Sequence, residues 1–385
     1  MPIIDLDAIS LDALRERQSA KYQVFPADVI PAWVAEMDFP MAPPIAAALH
    51  AAIDRSDTGY RSATGLAESL VSYAERTWGW TIPAARVIAV PDVLTGVAQS
   101  LVHLTAPGDG VVVTPPVYTP FFSTIQDVAG RTVVNVPLTA LPDGSYDWDV
   151  AALEEAFARP DVTAFVMSNP HNPTGTVPTR EVLAAIARAA AVHDVLVVSD
   201  EIHGPLVLPG AEHVPFMSVV EDDANAVILV SASKAWNLPG LKCAQMVGTA
   251  RTAPLLAERM PMEATMGTGH LGVIAAIAAY DEGQPWLDEV RSILDSNRAL
   301  LATLLAEHLP RARYVPPQAS YLAWLDLRDY GVTEDPAAAV LQRGRVALNS
   351  GPTYGAGGDG FARLNFATSP AILAEIVRRM AGVFQ

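Results

Sequence analysis

Residues 226–234 read Ala226-Val227-Ile228-Leu229-Val230-Ser231-Ala232-Ser233-Lys234. Five apolar residues without a break suit a strand buried on both faces, and the serines close it abruptly. The lysine then stands just past the strand end. Five other runs share this grammar, at 87–90, 111–113, 132–136, 163–167 and 195–198: short, rich in Val, and mostly closed by Pro, Asn, Asp or Ser. Helical periodicity fills several of the gaps, at 96–104, 150–158 and 180–192. Strands nearly continuous in Val and Ile, alternating with helices, predict an α/β fold with a mainly parallel sheet covered on both faces.

Outward from this block the pattern changes. An amphipathic stretch at 285–308 is followed by a strand pattern at 321–327, a Gly-rich turn at 355–360, another strand pattern at 361–366 and a closing helix from Pro370. Looser grouping of this kind predicts a smaller α+β domain. The expected division is a large domain over 45–282, a small one over 283–385, and an N-terminal arm over 1–44 that docks on the small domain. The arm holds one short helix and a Pro-rich extended stretch at 25–40.

At roughly 150 residues per domain, 385 residues allow two or three domains. With 25 Lys+Arg against 42 Asp+Glu the formal charge is −17, which argues against a nucleic-acid partner because no basic stripe exists to displace counterions. Lone Cys243 excludes an intramolecular disulfide framework. No apolar run reaches the ~18 residues of a membrane span. The start, Met1-Pro2-Ile3-Ile4-Asp5, is acidic where a signal peptide would be basic, so a cytoplasmic protein is expected. No His-Glu-x-x-His or similar spacing occurs, and no metal is expected.

Four segments fall at predicted strand ends, where open α/β sheets bind ligands. Lys234 can present an amine of lowered pKa that forms a Schiff base. Asp200, in Ser199-Asp200-Glu201-Ile202-His203, can hold a protonated ring nitrogen; alone it reads equally well as a helix cap. Asn172, in Asn169-Pro170-His171-Asn172-Pro173, sits on a backbone stiffened by proline and can offer its amide to a ligand oxygen, although such sequences are common in turns. Val93-Leu94-Thr95-Gly96 opens a helix whose free N–H groups suit a phosphate. Together they form the set that pyridoxal 5′-phosphate (PLP) requires.

With these motifs the chain resembles, end to end, the class I/II aminotransferase superfamily of PLP enzymes (fold type I, aspartate aminotransferase-like). Trp33-Val34-Ala35-Glu36-Met37-Asp38-Phe39, Ser233-Lys234-Ala235-Trp236-Asn237, Tyr321-Leu322-Ala323-Trp324 and Phe361-Ala362-Arg363-Leu364-Asn365-Phe366 narrow the likeness to the cystathionine β-lyase, or carbon–sulfur lyase, branch. The resemblance implies that Lys234 carries the cofactor, Asp200 bonds the pyridine nitrogen, Asn172 holds the phenolic oxygen and Tyr118 stacks on the ring. It implies that Leu94 and Thr95 amides, Ser231 and Lys242 hold the phosphate, with Ser233 and His203 also beside the cofactor. Arg363 would fork onto the substrate carboxylate, assisted by the Ala35 backbone. Tyr60 would reach the phosphate of a neighbouring subunit, implying a homodimer.

Departures are informative. His203 stands where aminotransferases carry tyrosine, and Lys242 where arginine is common; both also occur in the lyase branch. Glu36 replaces the aspartate usual there. The implied reaction is β-elimination from L-cystathionine or related L-cysteine S-conjugates, giving thiol, pyruvate and ammonia. The leaving thiolate would be protonated by Lys234 or a nearby tyrosine. The alternatives are an aminotransferase, built from the same parts, and a regulatory or binding protein on the same fold.

Overall fold

The computed structural model describes residues 3–384. Its central sheet has seven strands: β1 Val87–Val90, β2 Gly110–Val113, β3 Thr132–Asn135, β4 Val162–Ser168, β5 Leu196–Asp200, β6 Ala226–Val230 and β7 Ala244–Gly248. Their order is β1-β7-β6-β5-β4-β2-β3. The five neighbours from β6 to β3 pair in parallel, while β7 runs antiparallel between β6 and β1. Every residue of β5 and β6 is buried, as two-sided coverage demands. The fold class read from the sequence is therefore present, with β7 added. That strand hides in Ala244-Gln245-Met246-Val247-Gly248 because Gln245 interrupts its apolar run. Gln245 is fully buried, accepting from the Tyr280 hydroxyl (2.7 Å) and donating to Cys243 Sγ (3.3 Å).

Helix α1, Val93–Leu104, follows β1 at once and starts three residues before the expected 96. The cause is Asp92, whose carboxylate caps the helix by accepting from Thr95 N–H (2.8 Å). Gly96 lets α1 lie close against the sheet, since a Cβ there would sit 2.6 Å from Leu229 Cδ2.

A second sheet, β8 Arg313–Tyr314, β9 Leu322–Asp326, β10 Asn349–Ser350 and β11 Phe361–Asn365, is antiparallel in the order β8-β9-β11-β10. Helices α2, Gln284–His308, and α3, Pro370–Ala381, pack together beside it. The buried stripe of α2, Leu287, Val290, Leu294, Leu301 and Leu305, repeats at helical spacing. Asn297 interrupts that stripe and is satisfied by the Phe366 and Thr368 carbonyls, at 3.0 and 2.8 Å.

The N-terminal residues run across this second sheet. Ile30–Pro31 pairs in parallel with Val346–Ala347, and Asn365 Nδ2 donates to the Val34 and Glu36 carbonyls (both 2.7 Å). A buried ion pair, Lys21 Nζ to Asp38 Oδ1 at 2.6 Å, with the Tyr22 hydroxyl also on Asp38, pins the segment further. Glu36 turns its carboxylate to Ser19 Oγ (2.6 Å). The result is that residues 33–35 enter the space between the two sheets. No helix among the described residues is long and apolar enough to cross a membrane, and no group of three or more His, Cys, Asp or Glu side chains converges among them.

Candidate active site

The carboxyl ends of β4, β5 and β6 open on a cavity of about 460 Å³, within the range of small-molecule sites of roughly 300–1,000 Å³. Lys234, Asp200, Asn172, Tyr118, His203, Ser231, Ser233, Lys242, Leu94, Arg363 and Ala35 all line it. Thr95 and Tyr60 do not. Both donors of Thr95, N–H and Oγ1, are turned onto Asp92 Oδ1 (2.8 Å each), so the helix start offers Val93 and Leu94 instead. Tyr60 is 93% exposed, outside the cavity. A second cavity of about 330 Å³ lies at the opposite ends of β5 and β6, but its Arg251 is already paired with Asp194 (2.5 Å).

Lys234 sits in the short helix Ala232–Ala235, which Ser231 caps by accepting from Ser233 N–H (3.0 Å). Its side chain is half-buried because it faces the cavity, and its amine donates to the Ala35 carbonyl (2.9 Å). Burial, then the positive charge of Arg363, lowers its pKa to about 8, against the weaker pull of Asp200. Asp200 ends β5 and is nearly inaccessible; Ile202 N–H on Oδ1 (3.1 Å) is its carboxylate's one hydrogen-bond donor among the described residues. Burial raises its pKa to about 7, with the Ile202 N–H and the Lys234 charge opposing.

Arg363, on β11, is 3% exposed and has no carboxylate partner among the described residues. Nη1 donates to Asn172 Oδ1 and Nη2 to the Trp33 carbonyl, both at 3.0 Å, and the guanidinium lies 5.3 Å from the Tyr354 ring centroid. Asn349, with its amide oxygen turned inward, accepts from Nη2 (3.1 Å) and the Tyr354 hydroxyl (3.0 Å). All these acceptors are neutral, and Nε has none. A buried charge without its counter-ion costs on the order of 3–5 kcal/mol, so this cation is poised for an anion such as a carboxylate.

Three other groups, His203, Tyr118 and Asp92, have displaced pKa values. Burial, then Lys234 and Arg363, lowers His203 to about 3, so its imidazole is neutral; its Nδ1 has no partner. Tyr118 is pushed up to about 12, chiefly by burial, and remains a phenol; it meets Phe121 edge-on at 5.5 Å, so only part of it belongs to the core. Lys242 pairs with Asp92 Oδ2 (3.0 Å). Burial pushes Asp92 up, but Thr95 and Lys242 outweigh it and hold the carboxyl below its usual range.

PLP fits these residues. A buried carboxylate with one neutral donor suits a protonated ring nitrogen, and the amine of lowered pKa suits an aldehyde. Trp33, Ile202, Asn349, Thr353 and Tyr354 also line the cavity, and the sequence reading gave none of them a role. Asp92 was legible: Asp three residues before Thr at a helix start is a cap signal.

The comparisons agree with this geometry. The family model of aminotransferase class I and II matches residues 34–380. A Mycobacterium tuberculosis protein is 45% identical over 98% of this chain and 97% of its own. The cystathionine β-lyase of Corynebacterium glutamicum is 38% identical over 97% of this chain and 98% of its own. The PLP-bound C–S lyase of Staphylococcus hominis superposes with a TM-score of 0.91 at 25% identity, covering 99% of this chain and 98% of that one.

Proposed function

Because the chain belongs to the class I and II aminotransferases, in their carbon–sulfur lyase branch, we propose that it is a PLP-dependent β-lyase of L-cystathionine or related L-cysteine S-conjugates. The observation that carries the reading is the unpaired, buried Arg363 facing the same cavity as Lys234 and Asp200.

PLP, when bound, supplies an aldehyde and an electron-accepting ring. Asp200 would keep a proton on the ring nitrogen, and Asn172 Nδ2 would donate to the ring oxygen while its Oδ1 stays on Arg363. Tyr118 would flank the ring, with His203 and Ser233 beside it. Leu94 N–H, Ser231 and Lys242 would hold the phosphate; Thr95 joins them only if Asp92 releases it. The Arg363 fork and the region of Ala35 orient the substrate α-carboxylate. Lys234, set at about 8, removes the Cα proton near neutral pH. The thiolate leaves from Cβ and takes a proton from Lys234, whose pKa lies close to that of a thiol, about 8.5. The remaining three-carbon unit hydrolyses to pyruvate and ammonia.

Tyr60 would serve a neighbouring subunit. Its exposure, with Ile53, Met262 and Met266 also exposed, supports a homodimer in which a second copy covers this face. Boundaries after residues 44 and 282 would separate arm, large domain and small domain, and the start without a signal-peptide pattern supports a cytoplasmic enzyme. The test is a panel of S-substituted L-cysteines incubated with PLP-reconstituted protein. Pyruvate and free thiol should form, and Lys234→Ala should abolish both. Full turnover in that variant would end the proposal.

A further inference from the structure

Beside Asp200 lies a buried carboxylate that the steps above do not use. Glu201 is fully inaccessible and accepts four hydrogen bonds. Ser199 Oγ (2.9 Å), Asn169 Nδ2 (3.2 Å) and Phe216 N–H (2.9 Å) donate to Oε1, and His213 Nε2 (3.0 Å) to Oε2.

The donors come from three separate segments. Ser199 is in β5, one residue before Asp200. Asn169 opens the turn that presents Asn172, and its own N–H donates to the Asp200 carbonyl (2.9 Å). His213 and Phe216 belong to a loop behind the strand ends. Glu201 N–H adds a fourth tie, to the Leu229 carbonyl of β6 (2.8 Å), the strand that leads to Ser231 and Lys234. One residue thus joins the ends of β4, β5 and β6, from which the ring-nitrogen, ring-oxygen and amine ligands all project.

Burying a carboxylate is costly unless its lone pairs are filled, and an apolar residue would pack such a place more cheaply. A charged acceptor instead draws donors from several segments to one point with short, directional bonds. We propose that Glu201 is a positioning residue, holding Asp200 and Asn172 in register for the cofactor ring. The proposal rests on the reading that this cavity binds PLP.

The test is PLP affinity, titrated into apoprotein by absorbance, for wild type and Glu201→Gln. The amide keeps the shape but loses the charge that gathers the donors. Its Kd should rise on the order of tenfold, as when outer partners of metal ligands are removed, and the bound cofactor's absorption spectrum should shift. Leu373→Ala, a cavity mutation in α3, serves as a control for lost stability and should leave both unchanged. If wild type binds no PLP, the functional reading fails. If wild type and Glu201→Gln bind equally with the same spectrum, only the positioning role fails. Should Glu201→Gln not fold, Ser199→Ala and His213→Asn each remove one donor and are read the same way. Wild-type Kd and spectrum in both would overturn the role.

Discussion

Arg363 and Asp200 are each held in a state that the isolated side chain would avoid. Arg363 is buried among neutral acceptors, and its planar fork matches a carboxylate in a way a lysine cannot. Arg363→Lys should therefore lower kcat/KM about 100-fold, equivalent to about 3 kcal/mol, mostly through KM. Steady-state kinetics on L-cystathionine check this. Asp200 shows the cost of such a site. Its carboxyl titrates near 7 in the fold against about 3.9 when unfolded. The folded chain binds this proton more tightly, so the group's stabilising contribution is full below about pH 4 and is lost as pH rises to about 7. Asp200→Asn should raise the apoprotein Tm by a few degrees at pH 7, with no gain at pH 4, while abolishing turnover. Thermal scans at the two pH values decide it. Lys234, Asp200 and Asn172 were legible because each follows or ends a run with strong strand character, and Arg363 through the likeness of its flanking motif to the family's. Asn349 and Tyr354 were not: Asn349 meets Arg363 as its cross-strand partner in β10, a two-residue strand with no apolar pattern, and Tyr354 sits in the short turn that follows it.

At the level of elements, strand ends do most of the placing. Strands β4, β5 and β6 run parallel and in register, so the residues just past them converge without further design. The sequence shows this directly in its Val-rich runs. It shows β7 poorly, because a buried polar Gln245 breaks the apolar pattern and is satisfied only by distant partners. Helix α1 was legible in type from its apolar spacing, and its start in the Asp92 cap signal, which the expected start at 96 passed over. That cap has a consequence. Asp92 spends Thr95 N–H and Lys242, two donors otherwise suited to a phosphate. Asp92→Ala should destabilise the apoprotein by about 1 kcal/mol, the usual cost of a lost cap. With PLP present the deficit should shrink, since the released donors meet an anion. Melting curves with and without cofactor give the comparison.

The whole molecule places the candidate cavity between its two sheets and threads its N-terminal residues into the same space. The ion pair of Lys21 with Asp38 and the two bonds from Asn365 fix that thread, so Ala35 reaches the Lys234 amine. From the sequence this segment showed a short helix, a Pro-rich extended stretch and an expected docking on the small domain; the contacts that hold it, with residues more than 300 positions away, were not legible. The homodimer we propose has its own test. Tyr60→Ala and Lys234→Ala chains should each be weak or inactive alone. Mixed and reassembled, they should regain activity, because each hybrid then holds one site with an intact Lys234 and an intact partner Tyr60. Absence of rescue would place Tyr60 outside the neighbour's site.

The central claim is that this cavity eliminates a thiol from Cβ. The most direct measurement is the product balance from L-cystathionine with the PLP-reconstituted protein. Pyruvate, ammonia and free thiol are expected in equal amounts; a 2-oxo acid that retains the thioether, formed without free thiol, would contradict the account.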